Sequence, residues 1–539
     1  MWTQPLDPTG NLALSAGLAA VPVIFFLVAL VGFKMKGTTA AAIAAVLAVI
    51  VAFIGFGMPA SAIGGAALDG VLNGLWPIGY IILMAVWLYK LAVRSGKFDV
   101  IRNSISGIAA DQRIQVLLIA FCFGAFLEGA AGFGVPITIC AALLLTLGFP
   151  GLKAAVLALI SNAAAGAFGA IGIPVIIAAR QGDVPIPELS GMMVLVGQLP
   201  TIIIPFLLVA ILDGFRGIRE VLPALITVVV AFSGSQAVLL LVLGQPDLAD
   251  IIPSIVALAA LAVLSRFWKP KRTFRMPGAP EPVSEHYTPR QLVSAWSPFL
   301  FLTVLILIWS APFFANLFDR SKGGALSALS LPVAIPGLDG QVTAAGADAP
   351  MTAVWTWSPI GAAGTAILVS VLLTALTSSA LSWKQVGEEF VASVKMLWQP
   401  ILLILLIMIV AYIANFSGGS TTIGHALASV GALFPLLSPV IGWLGVFITG
   451  SVVNNNTLFA HLQSVTATEI GTNPTLLVSA NVAGGGIGKI VSPQSIAVSS
   501  AAVGLAGKES AIMRAALPYS LGLLVVLSLW VFALSAMLG

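Results

Sequence analysis

Two charged side chains stand alone in some of the most apolar stretches of this sequence. Glu128 begins the segment EGAAGFGVP (128–136), and Lys489 lies in GKIVSPQS (488–495). A charged group that faced lipid would cost about 3 kcal/mol or more, so both must face the protein interior or a watery cavity. An interior acid can carry protons, and an interior cation can attract a negatively charged solute.

Each of these residues has a second interpretation. Glu128 is either a proton-carrying carboxylate or a structural acid that accepts hydrogen bonds from free backbone amides beside it. Lys489 is either an attractive charge for an anionic substrate or one half of an ion pair, with Glu128 as a candidate partner. The sequence leaves both alternatives open.

Uncharged polar side chains lie in the same two regions. A run of three amides, 454–456, would not be exposed to lipid, so at least one is expected to bind substrate and the others to cap broken helices. His461 is either a proton relay or a hydrogen-bonded core histidine. Glu128 and His461 are the predicted proton-coupling residues. The predicted substrate ligands are Gly132, Asn162, Gly166, Ser451, Asn454, Asn455, Asn456, Lys489, Ser492 and Gln494.

The elements that position these residues must be membrane-spanning helices. The chain has 539 residues, of which 59% are hydrophobic and 8% charged, and its mean hydropathy is +1.08. Soluble domains carry about a quarter charged residues, so the composition indicates a polytopic membrane protein. Apolar runs of about 20 residues predict spans near 12–33, 38–57, 71–93, 191–212, 221–244, 250–266, 293–313, 359–382, 397–415 and 516–538.

Lysine and arginine set the predicted orientation, because they favour the cytoplasmic side. Most of the 24 basic residues fall in six loops that the order of spans places on one side. This predicts a bacterial-type inner-membrane protein with both termini outside. The segment 314–358 then also lies outside. Residues 267–291 form a cytoplasmic linker whose basic run is expected to face membrane lipid, with no nucleic-acid partner.

Two membrane regions match each other in sequence. NAAAGAFGAIGIP (162–174) and NVAGGGIGKIVSP (481–493) share Asn, two Gly, Ile and Pro at the same spacing. The charge pattern places the two regions in opposite orientations across the membrane. Inverted repeats with helices interrupted at corresponding positions are typical of secondary transporters.

A further break precedes each of these segments. It is EGAAGFGVP in the first region and TGSVVNNNTLF (449–459) in the second. Hydrocarbon penalises each unpaired backbone amide by several kcal/mol, so such stretches must face protein or water. We interpret 128–136 and 449–459 as tips of two re-entrant hairpins, and 162–174 and 481–493 as unwound midpoints of two helices. Helix N-termini exposed at the breaks would attract an anion.

The predicted fold is therefore an all-α polytopic membrane protein, an inverted-repeat secondary transporter with two re-entrant hairpins and two broken helices that moves as an elevator. The remaining helices would supply a scaffold and a homodimer interface, although no pattern marks that interface. The predicted division is 1–113 (scaffold), 114–190 (first repeat core), 191–266 (scaffold), 267–291 (linker), 292–416 (scaffold with the external segment), 417–508 (second repeat core) and 509–539 (C-terminal helix).

The sequence resembles the lactate permease family over nearly its whole length. The stretches that carry the resemblance are GLWPI (74–78), DQR (111–113), CFGAFLEGAAGFG (122–134), AFGAIGIP (167–174), DGFRGIRE (213–220), GWLGVFITGS (442–451), GKIVSPQSIA (488–497) and GKES (507–510). The resemblance implies inward transport of L-lactate, D-lactate or glycolate with protons. It also implies a fold of inverted repeats and re-entrant hairpins.

Two departures from the family pattern fall in the predicted site. After Ser451 the family usually has an Asp followed by Thr and Ser residues, whereas Val452 and Val453 stand here. After Asn162 the family often has Thr-Ala-Pro, whereas residues 163–165 are alanines. Loss of the acid leaves Glu128 as the remaining candidate proton carrier. Alternatively, it indicates altered ion coupling, such as sodium, or a different small carboxylate.

A membrane enzyme and an anion channel are the competing classes. With three histidines, no HExxH motif and no clustered cysteines, the sequence predicts no metal site, no cofactor and no enzymatic activity. GGGIGK (484–489) lacks the spacing of a phosphate-binding loop. The predicted function is proton-coupled symport of a small 2-hydroxy-monocarboxylate that binds between the hairpin tips and the broken helices.

Overall fold

A computed structural model describes residues 1–132, 134–244, 246–280, 287–320 and 322–538. Within this part of the chain, eleven helices are long and apolar enough to cross a membrane. The predicted class, a polytopic helical membrane protein, is confirmed. Phe133 of the first predicted tip and residues 281–286 of the predicted linker lie outside the described residues.

The N-terminal region contains five α-helices: α1 (Leu12–Val31), α2 (Gly37–Ile50), α3 (Ala60–Asn73), α4 (Tyr80–Arg94) and α5 (Lys97–Ser106). The side chain of Asn11 caps α1 by accepting hydrogen bonds from the backbone amides of the first turn. α2 continues as a π-helix, Val51–Gly55. A second π-helix, Gly74–Gly79, joins α3 to α4, so one interrupted crossing replaces the shorter span predicted at 71–93.

The first predicted repeat contains five α-helices: α6 (Gln112–Val116), α7 (Gly124–Ala130), α8 (Val135–Thr146), α9 (Gly151–Gly166) and α10 (Ile173–Gln181). A π-helix, Leu117–Phe123, joins α6 to α7, so one continuous arm precedes the first tip. A short 3-10 turn, Ala170–Gly172, separates α9 from α10.

Eight helices follow: α11 (Ile186–Val196), α12 (Gln198–Glu220), α13 (Leu222–Leu243), α14 (Ile251–Phe267), α15 (Pro289–Ser310), α16 (Pro312–Ala315), α17 (Ala363–Thr377) and α18 (Trp383–Ser417). α15 and α18 each begin with a capping box, in which a hydroxyl and a glutamine satisfy two free amides reciprocally.

The predicted external segment contains short strands as well as 3-10 turns at Asn316–Phe318 and Ser327–Leu329. β1 (Trp2–Thr3) runs parallel to β3 (Val342–Thr343), and β2 (Leu331–Ala334) pairs antiparallel with β4 (Val354–Trp357). The amide of Gln4 donates to the carbonyls of Asn415 and Phe416, at the end of α18. The N-terminus, the strand-bearing segment and the end of α18 therefore lie together on one face.

The second predicted repeat and the C-terminus contain α19 (Gly419–Ala428), α20 (Phe434–Thr449), α21 (Val452–Glu469), α22 (Pro474–Gly488), α23 (Pro493–Ala502) and α24 (Glu509–Leu538). Two 3-10 turns, Gly431–Leu433 and Lys489–Val491, precede α20 and follow α22. The backbones of α20 and α22 are in direct contact. A Cβ atom on Gly442 would lie 2.1 Å from the carbonyl oxygen of Asn481, so this crossing requires glycine.

Several helices outside the two predicted repeats pack directly on them. α11 contacts α22, α12 contacts α9, α14 contacts α7, and α24 contacts both α20 and α22. Helices α11–α14 share a continuous packed interior with the predicted repeat regions and also with α4, α15 and α17, so the division into scaffold and repeat cores stays a prediction.

A buried ionic cluster lies at the base of the first arm. Arg113 is fully buried. Its guanidinium nitrogens lie 2.7 Å from the carboxylate oxygens of Asp111, Asp213 and Glu220. Arg272 contacts the last two of these acids, and Arg216 also pairs with Glu220, so three cations balance the three carboxylates.

The same cluster fixes the described part of the predicted linker. The backbone amide of Phe274 donates to Asp111 at 2.9 Å, and the amide of Gln112 donates to the carbonyl of Phe274 at 3.0 Å. Because these bonds are specific, the linker is docked on the first arm and is not merely a basic loop beside lipid headgroups.

Replacing Arg113 with Ala should destabilise the protein by about 3–5 kcal/mol, because Asp111, only 3% exposed, would lose its buried partner. The matched control is Arg216→Ala, since the Arg216 side chain is 72% exposed and pairs with Glu220 at the surface. We expect little change in that variant. Thermal unfolding of the detergent-purified variants measures both, and equal melting temperatures would contradict the assignment.

Candidate functional site

The first tip is a tight glycine turn between two packed arms. α7 ends at Ala130 and α8 begins at Val135, and Gly132 and Gly134 have φ values of +58° and +82°. Such backbone conformations favour glycine. At the other end of the two arms, the side-chain amide of Gln112 donates to the backbone carbonyl of Leu147 at 2.8 Å. The start of α6 and the end of α8 therefore lie next to each other.

The second tip is shorter than the sequence suggested. α20 ends at Thr449, Gly450 has a φ of +71°, and α21 already begins at Val452. The hydroxyl of Ser451 caps α21 by accepting a hydrogen bond from the amide of Asn454 at 3.3 Å. The three asparagines predicted at the tip are thus the first turns of a helix.

The two helix breaks are also narrower than the predicted segments. Asn162 and Asn481 are helical, and the first break covers only 167–172, between α9 and α10. Ile171 has a φ of +48° there, which is rare for a β-branched residue and marks local strain. In the second break the hydroxyl of Ser492 caps α23, accepting from the amide of Ser495 at 3.2 Å.

The tips and breaks meet at one cavity of about 560 Å³. Residues at the start of α8, α10, α21 and α23 line it, so the positive ends of four helix dipoles lie at its wall. The opposite wall comes from the start of α2, from α4 and from α18. Its residues are Lys36, Gly37, Thr38, Ile82, Met396, Leu397, Gln399, Pro400, Leu403 and Ile404.

An ion pair joins the two repeats beside this cavity. Nζ of Lys489 lies 2.5 Å from Oε1 of Glu128, and the amide of Asn162 donates to Oε2 of Glu128 at 2.8 Å. The Glu128 side chain is 2% exposed and that of Lys489 is 12% exposed. Both carboxylate oxygens of Glu128 therefore have donors, which suits an ionised carboxylate.

Two of the three asparagines face the protein and not the cavity. The amide of Asn456 donates to the carbonyl of Pro174 at 2.9 Å, which satisfies a backbone group at the start of α10. Its own oxygen accepts from the amides of Asn455 and Asn481. Asn454 lines the cavity, and its side-chain oxygen has no partner among the described residues.

The cavity collects some predicted site residues and leaves others outside. In the described part of the chain, it is lined by Glu128, Gly132, Gly166, Ser451, Asn454, Lys489 and Gln494. Behind its wall lie Asn162, Asn455, Asn456 and Ser492. His461 is hydrogen-bonded to the backbone of Gln181, at the far end of α10.

Sequence analysis missed several polar residues of the cavity wall. Lys36 belongs to one of the six basic loops predicted to be cytoplasmic, and Gln399 lies in the span predicted at 397–415, yet both line the cavity. Thr449 and Ser495 also line it. The signal for Gln399 was available, since an isolated amide within an apolar span is expected to face the interior.

The fold and the cavity define a polytopic helical membrane protein with an interior cavity, lined by polar and apolar residues, at which broken helices meet. Over residues 15–538 the chain matches the family described as L-lactate permease. It is 46% identical to the L-lactate permease of Halalkalibacterium halodurans, with 99% of each chain covered, and 42% identical to the glycolate permease GlcA of Escherichia coli K12, with 98% of each covered. The chain belongs to the L-lactate permease family, so the predicted family is confirmed and the protein is a transporter rather than an enzyme.

Two solved transporters are distantly similar. The Alcanivorax borkumensis YdaH transporter aligns with a TM-score of 0.46 at 15% identity, covering 86% of each chain. Neisseria gonorrhoeae MtrF aligns with a TM-score of 0.45 at 15% identity, covering 87% of this chain and 83% of its own.

Lys489→Met should destabilise the protein by about 3–5 kcal/mol, because it leaves the Glu128 carboxylate buried without a counter-charge. The double variant Glu128→Gln/Lys489→Met should recover most of this loss, since it buries no unpaired charge. Thermal unfolding in detergent measures the difference. A double variant no more stable than Lys489→Met would show that the pair is not the reason for the loss.

Proposed function

We propose that this protein carries L-lactate, or a related small 2-hydroxy-monocarboxylate such as D-lactate or glycolate, across the bacterial inner membrane together with protons. The observation that carries the proposal is the meeting of Lys489 and four helix N-termini at one cavity. Membership of the L-lactate permease family and relatives named as L-lactate and glycolate permeases support the substrate class.

The substrate carboxylate would lie near Lys489 and the first turns of α21 and α23. Amide N–H groups at helix N-termini stabilise an anion without any further charge. Gln494 and the hydroxyl of Ser451 offer additional polar contacts in the same wall. The side-chain amide of Gln494 can hydrogen-bond the 2-hydroxyl group, which would distinguish lactate and glycolate from a plain carboxylate such as acetate.

The proposed architecture has two inverted repeats with re-entrant hairpins. Both regions have the same order of two arms, a helix, a break and a half-helix. Each half-helix packs on the returning arm of the other region, α10 on α21 and α23 on α8. This reciprocal exchange is what a two-fold axis in the membrane plane would produce.

Orientation and movement form part of the same proposal. The N-terminus pairs with the strand-bearing segment, so the two share one side, and our proposal places that side and the C-terminus outside. In our proposal the repeats move as an elevator past the opposite cavity wall, with α2, α4 and α18 in the static scaffold. Scaffold helices would contact membrane lipid and form a homodimer interface.

Purified protein in liposomes should accumulate labelled L-lactate when the outside is made acidic, because each anion enters with a proton. A sodium gradient at equal pH should not drive accumulation. D-lactate and glycolate should compete better than acetate, which lacks the hydroxyl group. Accumulation driven by sodium alone would favour the sodium-coupled alternative, which Val452 and Val453 at the second tip suggest. Flux that neither saturates nor accelerates with lactate inside would favour a channel.

Glu128→Gln should lower proton-driven accumulation more than it lowers exchange of labelled for unlabelled lactate, because the variant cannot provide the negative charge that holds Lys489. The control is Glu188→Gln, an exposed acid in the first turn of α11. Both fluxes are measured in the same liposomes. Unchanged proton-driven accumulation in Glu128→Gln would show that Glu128 takes no part in proton coupling.

A further inference from the structure

A second acid lies behind the ion pair, in a part of the sequence assigned to the scaffold. Asp250 ends the loop between α13 and α14 and is 2% exposed. Both of its carboxylate oxygens lack a hydrogen-bond partner among the described residues, and its side chain does not cap α14. Unpaired buried carboxylates are rare, because burial without donors strongly disfavours the ionised form.

Asp250 touches the first arm next to Glu128. A Cβ atom added to Gly129 would lie 2.9 Å from Cβ of Asp250, so only glycine permits this approach. The charges of Glu128 and Lys489 both act on Asp250. Of the two acids, only Glu128 lines the cavity in the described part of the chain. Asp250 therefore lies beside the residue that follows Glu128 and does not itself line the cavity.

The other titratable groups around Asp250 are few. α13 contains none, and Cys122 is the only one in the π-helical segment that packs on α14. Asp247 lies three residues earlier on the same loop and is buried as well. The charges that act on Asp250 are thus those of Glu128, which already accepts two hydrogen bonds, and of Lys489, which is already paired with Glu128.

We propose that Asp250 is the carboxylate that carries the transported proton, and that Asp250 and the substrate carboxylate compete for the charge of Lys489. The proposal rests on the proton-coupled function proposed above. In the structure Glu128 accepts hydrogen bonds from Lys489 and Asn162 and so is satisfied when ionised. Asp250 has no such donors, so burial penalises its charged form more than its neutral form.

The charges account for coupling. With Asp250 ionised, Lys489 balances two carboxylates, and a third negative charge from the substrate would be strongly unfavourable. A proton from cavity water passes by way of Glu128 and converts the Asp250 carboxylate to the acid. Lys489 can then stabilise the substrate anion, and the loaded site has the same net charge as the empty, deprotonated site. By thermodynamic reciprocity, bound substrate strengthens proton binding as much as the proton strengthens substrate binding.

The experiment compares Asp250→Asn with Asp247→Asn in liposomes and in detergent. Asp250→Asn resembles the protonated acid permanently, so it should exchange labelled for unlabelled lactate but fail to accumulate it under a pH gradient. In binding measurements, the lactate Kd of the wild type should rise by up to about tenfold per pH unit, because one proton binds with each anion. The Kd of Asp250→Asn should stay constant over the same pH range. Asp247→Asn should behave as the wild type does.

The results separate the role proposed for Asp250 from the proposed function. Proton-driven accumulation in Asp250→Asn equal to the wild type, with the same pH dependence of Kd, would overturn the assignment while leaving the proposed function intact. Absence of proton-driven accumulation in the wild type would instead overturn the proposed function. If Asp250→Asn does not exchange lactate, Asp250→Ser serves as the second neutral variant. Loss of exchange in both, with wild-type melting temperatures, would also refute the proposal.

Discussion

Interrupted helices at membrane depth leave backbone groups that lipid cannot satisfy, and the arrangement of this fold follows from where those groups find partners. Some are satisfied by side chains placed for that purpose. Ser451 and Ser492 cap the helices that follow them, and Asn456 donates to the carbonyl of Pro174 in the other repeat. The cavity lies where the breaks and the tips meet, between the two predicted repeats.

The buried pair of Glu128 and Lys489 follows from the same constraint. A buried ion pair contributes little net stability, because desolvation of the two charges offsets their attraction. In the proposed function, the pair matters because the charge of Lys489 can be shared between an acid and the substrate. A cation already held by an acid cannot bind an incoming anion strongly unless negative charge is removed nearby, and a proton removes it at the least structural cost. In the proposed mechanism, an anion site built in this way would couple substrate to protons through charge alone.

Much of this candidate site could be predicted from residue types. What the sequence could not predict also has a physical reason. Glycine and proline within apolar runs marked the breaks, and the energetic penalty for a charge in lipid turned Glu128 and Lys489 inward. The sequence could not fix helical phase, so Asn455 and Asn456 were expected at the cavity but lie behind its wall. Nor could it reveal contacts between distant segments. Asp250 lies more than a hundred residues from Glu128 in sequence, and only the packing of α14 on α7 brings the two together.

Close packing also indicates which parts would move together. Gly129 against Asp250, and Gly172 against the backbone of Pro246, fix the loop before α14 to the first repeat at distances that exclude even a Cβ atom. Such contacts cannot slide, because any shift creates an overlap or a void. The opposite cavity wall is different, since longer side chains such as Ile82, Leu397 and Leu403 face the cavity there. In an elevator movement α11–α14 would therefore travel with the repeats, and Asp250 would stay beside Glu128 while both pass the scaffold. A proton held at Asp250 would then cross the membrane with the substrate, without a separate pathway through the scaffold.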